Sequence, residues 1–138
     1  IRLNYTIWRN CFKPISRKQY LLYTPVLPRT MMTEGDEKQL SQVFLNLLKN
    51  AMQALEGHPH GELSLQAEQD EHIVIDITDN GPGIPPEIMD KVFIPFFTTK
   101  SEGTGIGLSL CKEIIRCHEG HLAIKESRAG KRFHIELP

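Results

Sequence analysis

The stretch IVIDITDNGPGIP, residues 73–85, joins two patterns that pull in different directions. Ile73, Ile75 and Ile77 alternate with Val74, Asp76 and Thr78, the period of two expected of a half-buried strand. Asp79 stays in phase with the isoleucines, so the strand carries a carboxylate to its own apolar face. That placement is costly unless donors reach the carboxylate. Gly81 and Gly83 then alternate with Pro82 and Pro85. An Asn80-Gly81 hairpin turn is one reading, but two prolines that cannot donate to a ladder argue against it. Glycine also lets another chain or a ligand approach the backbone closely. Two roles therefore stand open for Asp79: an acceptor that caps the following turn, or an acceptor for a ligand amine such as that of adenine.

The neighbouring segments place this strand in a fold. Residues 62–68 alternate, with Leu63, Leu65 and Ala67 on one face. Residues 69–72 turn the chain, so 62–68 and 73–78 make a hairpin. Upstream, Asp36 is a good N-cap and Gln39 completes a capping-box-like pair. Leu40, Val43, Phe44, Leu47, Leu48, Ala51, Met52 and Leu55 then follow helical spacing, stopped by Gly57 and Pro59. Downstream, a short helix is expected near 86–92, a loop over 93–104 and a long helix over 105–118. That helix carries Leu108, Cys111, Ile115 and His118 on one stripe. Leu122 and Ile124 mark one closing strand, Phe133, Ile135 and Leu137 another, with a turn at 127–130. At the N-terminus, Ile1, Tyr5, Trp8 and Phe12 suggest a helix over 1–13, ended by Pro14, and 19–27 reads as a strand. Helices interleaved with antiparallel hairpins predict an α+β two-layer sandwich with a mostly antiparallel sheet.

The bulk properties narrow the function. A chain of 138 residues suits a single domain, 1–138. A net charge of −1 gives no electrostatic case for nucleic acid or an anionic membrane. No apolar run is long enough to span a bilayer, and no signal peptide is visible. Opening on Ile1, the chain reads as a fragment of something longer. Cys11, Cys111 and Cys117 form no CxxC pair and fit a reducing compartment. A zinc site from Cys111, Cys117, His118 and His121 is disfavoured, because the two cysteines fall roughly 120° apart on one helix.

Three further stretches bear on chemistry. Asn46 and Asn50, in NLLKNA, lie about 40° apart on one helix, beside the apolar stripe. Two amides there suit a cation or phosphates, although boundary polar residues would look the same. GTGIGL, residues 103–108, sets glycines before a helix, where free N–H groups and the positive helix end favour an anion. It matches neither a Walker loop nor a Rossmann fingerprint. FIPFFTTK, residues 93–100, puts Phe96 and Phe97 beside threonines and Lys100. It reads as a loop pinned by its aromatics, or as a flap over a phosphate with Lys100 as its cationic contact.

In order along the chain, NLLKNA, DNGPGI, VFIPFFTTK and GTGIGL resemble the four nucleotide-binding boxes of bacterial sensor histidine kinases. Their ATP-binding domain is grouped with those of DNA gyrase, heat-shock ATPases and mismatch-repair ATPases. The resemblance covers about residues 36–138, and the short FFTTKSEGTG stretch looks most like the nitrogen-regulation type. It implies the Bergerat-type ATP-binding fold, a sheet covered on one face by helices. It further implies that Asp79 binds the adenine amine, Asn50 coordinates Mg2+, and Asn46 sits near the triphosphate. Gly81 and Gly83, with Ile84, would flank the nucleotide. Gly103, Thr104, Gly105 and Gly107, with Leu108, would support the phosphates and hinge a mobile lid over residues 95–106. Phe96 and Phe97 would anchor that lid, and Lys100 would contact phosphate.

Two departures stand out. Ile94 occupies a place where the family often has an acidic residue. None of His58, His60, His72, His118, His121 and His134 has the acceptor setting of a His followed by an acidic residue and then Asn or Pro. The chain therefore looks like the catalytic part alone, with no catalytic histidine of its own. The function this implies is Mg-ATP binding and γ-phosphoryl transfer to a histidine on a separate dimerisation hairpin of the parent kinase. The parent would then serve a response regulator in two-component signalling. The domain is expected in the cytoplasm, without nucleic-acid or membrane contact, whether or not its parent is membrane-anchored. Two other readings compete. A gyrase- or mismatch-repair-type ATPase would use a helix glutamate where this chain has Asn46, and an amide is no general base. A non-catalytic module would use nucleotide only to change a partner surface.

Overall fold

The computed structural model describes residues 2–4, 21–23, 30–97, 107–127 and 130–138. Among the described residues the strands form two sheets. Strand β1 (Arg2–Asn4) pairs antiparallel with β3 (Thr30–Met32), with Arg2 opposite Met32. This corrects the helix expected from residue 1: residues 2–4 are strand. Four apolar residues at helical spacing are a weak signal, and a partner strand offering ladder hydrogen bonds outweighs so slight a local preference. The rest of that expected helix lies outside the described residues. The β1–β3 pairing itself left no pattern that the sequence reading caught.

The second sheet has five strands in the order β2-β4-β5-β7-β6. These are β2 (Leu21–Tyr23), β4 (Glu62–Gln69), β5 (Ile73–Asp79), β6 (His121–Ser127) and β7 (Gly130–Leu137). β2 runs parallel to β4 and every other pairing is antiparallel. The 62–78 hairpin and the two closing strands are thus present in the anticipated sheet; of the strand expected over 19–27, Leu21–Tyr23 is strand and the rest lies outside the described residues. β5 lies at the centre, bonded to β4 on one side and β7 on the other.

Among the described residues, two α-helices cover one face. α1 (Glu37–Ala54) begins at Asp36, whose Oδ1 accepts a hydrogen bond from Gln39 N at 2.9 Å. Its inner stripe, Leu40, Val43, Phe44, Leu47, Leu48 and Ala51, is fully buried. α2 (Gly107–Cys117) contributes Cys111, Ile114 and Ile115. These pack on the inward residues of the sheet: Leu63 and Leu65, the isoleucines of β5, Leu122, Phe133, Ile135 and Leu137. The stripe expected on α2 holds for Cys111 and Ile115, while Leu108 is only partly buried.

His118 joins the two helices. Its Nε2 accepts from Asp36 N at 3.0 Å, while Nδ1 lies 2.7 Å from Ile114 O. The pair of contacts requires the proton on Nδ1. The end of α2 is thereby fastened to the start of α1, with the Gly35 backbone pressed against the imidazole so closely that a Cβ there would overlap it. Among the described residues, no helix is long and apolar enough to cross a membrane.

Candidate functional site

The end of β5 carries Asp79 onto the inner face, as its phase requires, and Asp79 is 1% exposed. Its Oδ1 accepts a hydrogen bond from Gly81 N at 3.0 Å. The turn-capping role is therefore real. Directly across the β5–β7 ladder stands Lys131, also buried. Its Nζ lies 2.8 Å from Asp79 Oδ2 as an ion pair, and that buried oxygen has no directed hydrogen bond.

The segment after Asp79 is held from both sides. Asn80 Oδ1 accepts from Glu62 N at 2.7 Å, and its Nδ2 donates to His60 O at 2.8 Å. These bonds tie the end of β5 to the entry of β4, so Asn80 clips the chain rather than facing the site. Gly81 runs under the last turn of α1, where a Cβ would fall 2.8 Å from Ala54 O. Gly130 abuts Asp79 so closely that a Cβ there would overlap the Asp79 carbonyl. Close approach, rather than a hairpin turn, explains Gly81, whereas Gly130 combines a close approach with its place opposite Ser127 at the end of the β6–β7 hairpin. Gly83 has φ +76°, a conformation that suits glycine. Ile84 is half-buried, and the helix expected over 86–92 is a single 3-10 turn, Pro86–Ile88.

On α1, Asn46 and Asn50 are both half-buried and sit one turn apart. Cys111 Sγ donates to the Val43 carbonyl of α1 at 3.8 Å, and Asn46 lies beside the same thiol. Burial pushes that thiol up to about 11, against the smaller opposing effect of Asn46. Cys111 is thus a protonated packing residue, whereas Cys117 is exposed. The two thiols diverge, as their helical spacing requires. Among the described residues, no group of three His, Cys, Asp or Glu side chains is arranged to hold a metal.

The aromatic loop differs from expectation in one respect. Phe93 packs on the core and carries Lys112 Nζ 4.3 Å above its ring. Phe97 is half-buried, but Phe96 is 75% exposed at φ 67°, and Ile94 is exposed as well. Phe96 does not pin the loop here; Phe93, nearer the core, does. Gly107 opens α2 at the surface and Leu108 leans on the core. Lys100, Gly103, Thr104 and Gly105, and most of the expected lid, lie outside the described residues.

The structure thus brings Asp79, Gly81 and Gly83 to the C-terminal end of the helix that carries Asn46 and Asn50. Sequence reasoning passed over Lys131 and took Gly130 only as a turn residue. The signal for Lys131 was present: it falls in phase with Phe133, Ile135 and Leu137 and so points inward.

A family model described as histidine kinase-, DNA gyrase B- and HSP90-like ATPase matches residues 35–138. The chain belongs to that family. Among curated relatives, sporulation kinase C of Bacillus subtilis is 42% identical over 111 residues, covering 78% of this chain and 25% of that protein. The sensory histidine kinase/phosphatase NtrB of Rhodobacter capsulatus is 37% identical over 130 residues, covering 84% of this chain and 35% of that protein. The chain therefore spans about a quarter to a third of the relatives it matches. Among solved structures, the mycobacterial sensor histidine kinase MprB superposes with a TM-score of 0.85 at 26% identity, covering 100% of this chain and 97% of that one. This is an ATPase domain of the sensor histidine kinase type, with the two-layer fold of those catalytic domains.

Proposed function

We propose that this domain binds Mg-ATP with the adenine amine on Asp79 and presents the γ-phosphoryl group to a histidine of a separate acceptor hairpin in its parent kinase. The observation that carries the reading is Asp79. A carboxylate buried at a strand end beside the backbone of Gly81 and Gly130, with both oxygens facing donors, supports an acceptor role toward a ligand amine. The residues fit the nucleotide. Asp79 would accept from the amine, and Gly81, Gly83 and Ile84 would flank the base. Asn50 offers an amide oxygen to Mg2+, which prefers oxygen ligands and keeps several waters. Asn46 would stand near the triphosphate. The glycines and Thr104 of residues 103–107, with Lys100, Phe96, Phe97 and Leu108, would complete the phosphate side and its lid.

When bound, Mg-ATP supplies the phosphoryl group and the metal charge that neutralises it. The protein's contribution is position: a rigid helix and strand end hold the base and metal ligand in fixed relation, and catalysis follows from alignment with the acceptor. Asn46 speaks against the hydrolytic reading, since an amide cannot activate water as a base. A response regulator acting downstream, and a cytoplasmic location, belong to the same proposal.

Calorimetry with ADP tests the base contact. Asp79→Asn is expected to weaken ADP binding roughly ten- to a hundredfold, the loss of a hydrogen bond to a charged acceptor. Equal affinities, or comparable binding of GDP by the parent sequence, would remove Asp79 from base recognition. With γ-labelled ATP the domain alone is expected to stay unlabelled, and an added acceptor hairpin from the parent to take acid-labile label. Rapid phosphate release without acceptor would favour the ATPase reading.

A further inference from the structure

The carboxylate assigned to the base is already engaged by a cation from its own sheet. Lys131 Nζ lies 2.8 Å from Asp79 Oδ2, while Oδ1 accepts from Gly81 N. Both side chains are almost wholly buried, at 5% and 1% exposure, so this contact is not a screened surface pair. The two residues are register partners on β5 and β7, which places their side chains on one face directly opposite each other. A ligand amine reaching Oδ2 meets an ammonium there first.

Resting on the adenine reading above, we propose that Lys131 is a specificity-determining residue that competes with the base for Asp79 and sets how strongly the site prefers a 6-amino purine. The competition is uneven in kind: an ammonium is a charged donor, the exocyclic amine a neutral one, and charged donors bond more strongly. The amine gains less from Asp79 than it would from a free carboxylate. Lysine suits the part because it bonds through one nitrogen on a flexible stem, unlike the planar fork of arginine. In the same position Nζ lies 5.7 Å from the Phe133 ring centroid, within the range of a cation–π contact, so the ammonium has an aromatic neighbour beside the carboxylate. Lys131 acts through Asp79 and is a positioning residue for the base.

The experiment compares ADP with its analogue lacking the 6-amino group, purine riboside diphosphate, by calorimetry. The ratio of the two affinities isolates the amine. Lys131→Met is expected to raise that ratio roughly tenfold, the lower end of a hydrogen bond to a charged group, and Lys131→Gln to raise it less. In an Asp79→Asn background Lys131→Met is expected to leave the ratio unchanged. A purely structural lysine would lower stability and both affinities together without moving the ratio. If Lys131→Met does not fold, Lys131→Gln carries the test, since its amide still reaches the carboxylate. A wild-type preference for the amine that neither substitution raises overturns this inference alone. Absence of any preference in all variants overturns the adenine reading and this inference with it.

Discussion

The two faces of the β5–β7 ladder carry polar pairs built from the same two strands, and the faces treat them differently. On the inner face, Asp79 and Lys131 are sealed beneath the helix layer. On the outer face, one position out of phase, His134 Nδ1 lies 2.7 Å from Asp76 Oδ1 and Nε2 lies 3.0 Å from Glu136 Oε1. The Glu136 carboxyl is held below its ordinary range by the bond to His134, but it is open to solvent. Strand alternation alone sends neighbouring charges to such different surroundings. The comparison teaches that contact distance does not rank these pairs, since both measure under 3 Å at their closest. Burial ranks them: the inner pair is sealed at 5% and 1% exposure and depends on its partner, while His134 and Asp76 keep 13% and 18% and Glu136 half of its exposure.

The sharpest way to break this comparison is to remove one inner partner. Lys131→Ala is expected to destabilise the domain by about 3–5 kcal/mol in urea denaturation, because it leaves a buried carboxylate unpaired. Replacing both partners with apolar residues, Asp79→Leu with Lys131→Met, is expected to recover much of that loss. A loss below about 1 kcal/mol for Lys131→Ala would mean that the inner pair behaves like an outer one.

The second test concerns another buried group on the inner side, the Cys111 thiol. Its value is raised from 9.0 to about 11 in the folded chain. Above pH 9 the unfolded thiol releases its proton while the folded one keeps it, so folding stability falls as pH rises. The fall continues until the folded thiol also ionises near 11. Across that window the loss is about 2 kcal/mol, from about 1.4 kcal/mol per unit of pKa difference. Cys111→Ala is expected to flatten this part of the stability–pH curve relative to the parent. An unchanged slope would show that other groups govern the alkaline limb.

The smallest effect belongs to the outer face. Asp76→Asn is expected to cost about 0.5–1.5 kcal/mol, the loss of one hydrogen bond at a partly buried site. A loss in urea denaturation as large as that of Lys131→Ala would erase the distinction between the faces.

Much of this was legible in the residues. The IVIDITD alternation, the Asp36 cap and the Leu40–Leu55 stripe each combine local propensity with a matching burial pattern, so strand, helix and inward faces could be read directly. The same alternation aimed Asp79 inward, and motif order pointed to the family. Residues 2–4 could not be placed, because a three-residue strand exists only through its partner at Thr30–Met32. Phe96 was expected to anchor its loop because aromatic residues usually bury, but the path of the loop gives that place to Phe93.

By itself, the sequence determined which side chains face inward, where α1 starts and stops, and that a carboxylate would arrive at a glycine-lined strand end. Periodicity, capping and turn chemistry act over a few residues, so they are written locally. Only the tertiary structure decided what that carboxylate meets. Lys131 lies 52 positions beyond Asp79, and nothing local names it as the partner. The register of β5 against β7 puts the two opposite each other, and the helix layer removes the water that would otherwise have made their meeting inconsequential.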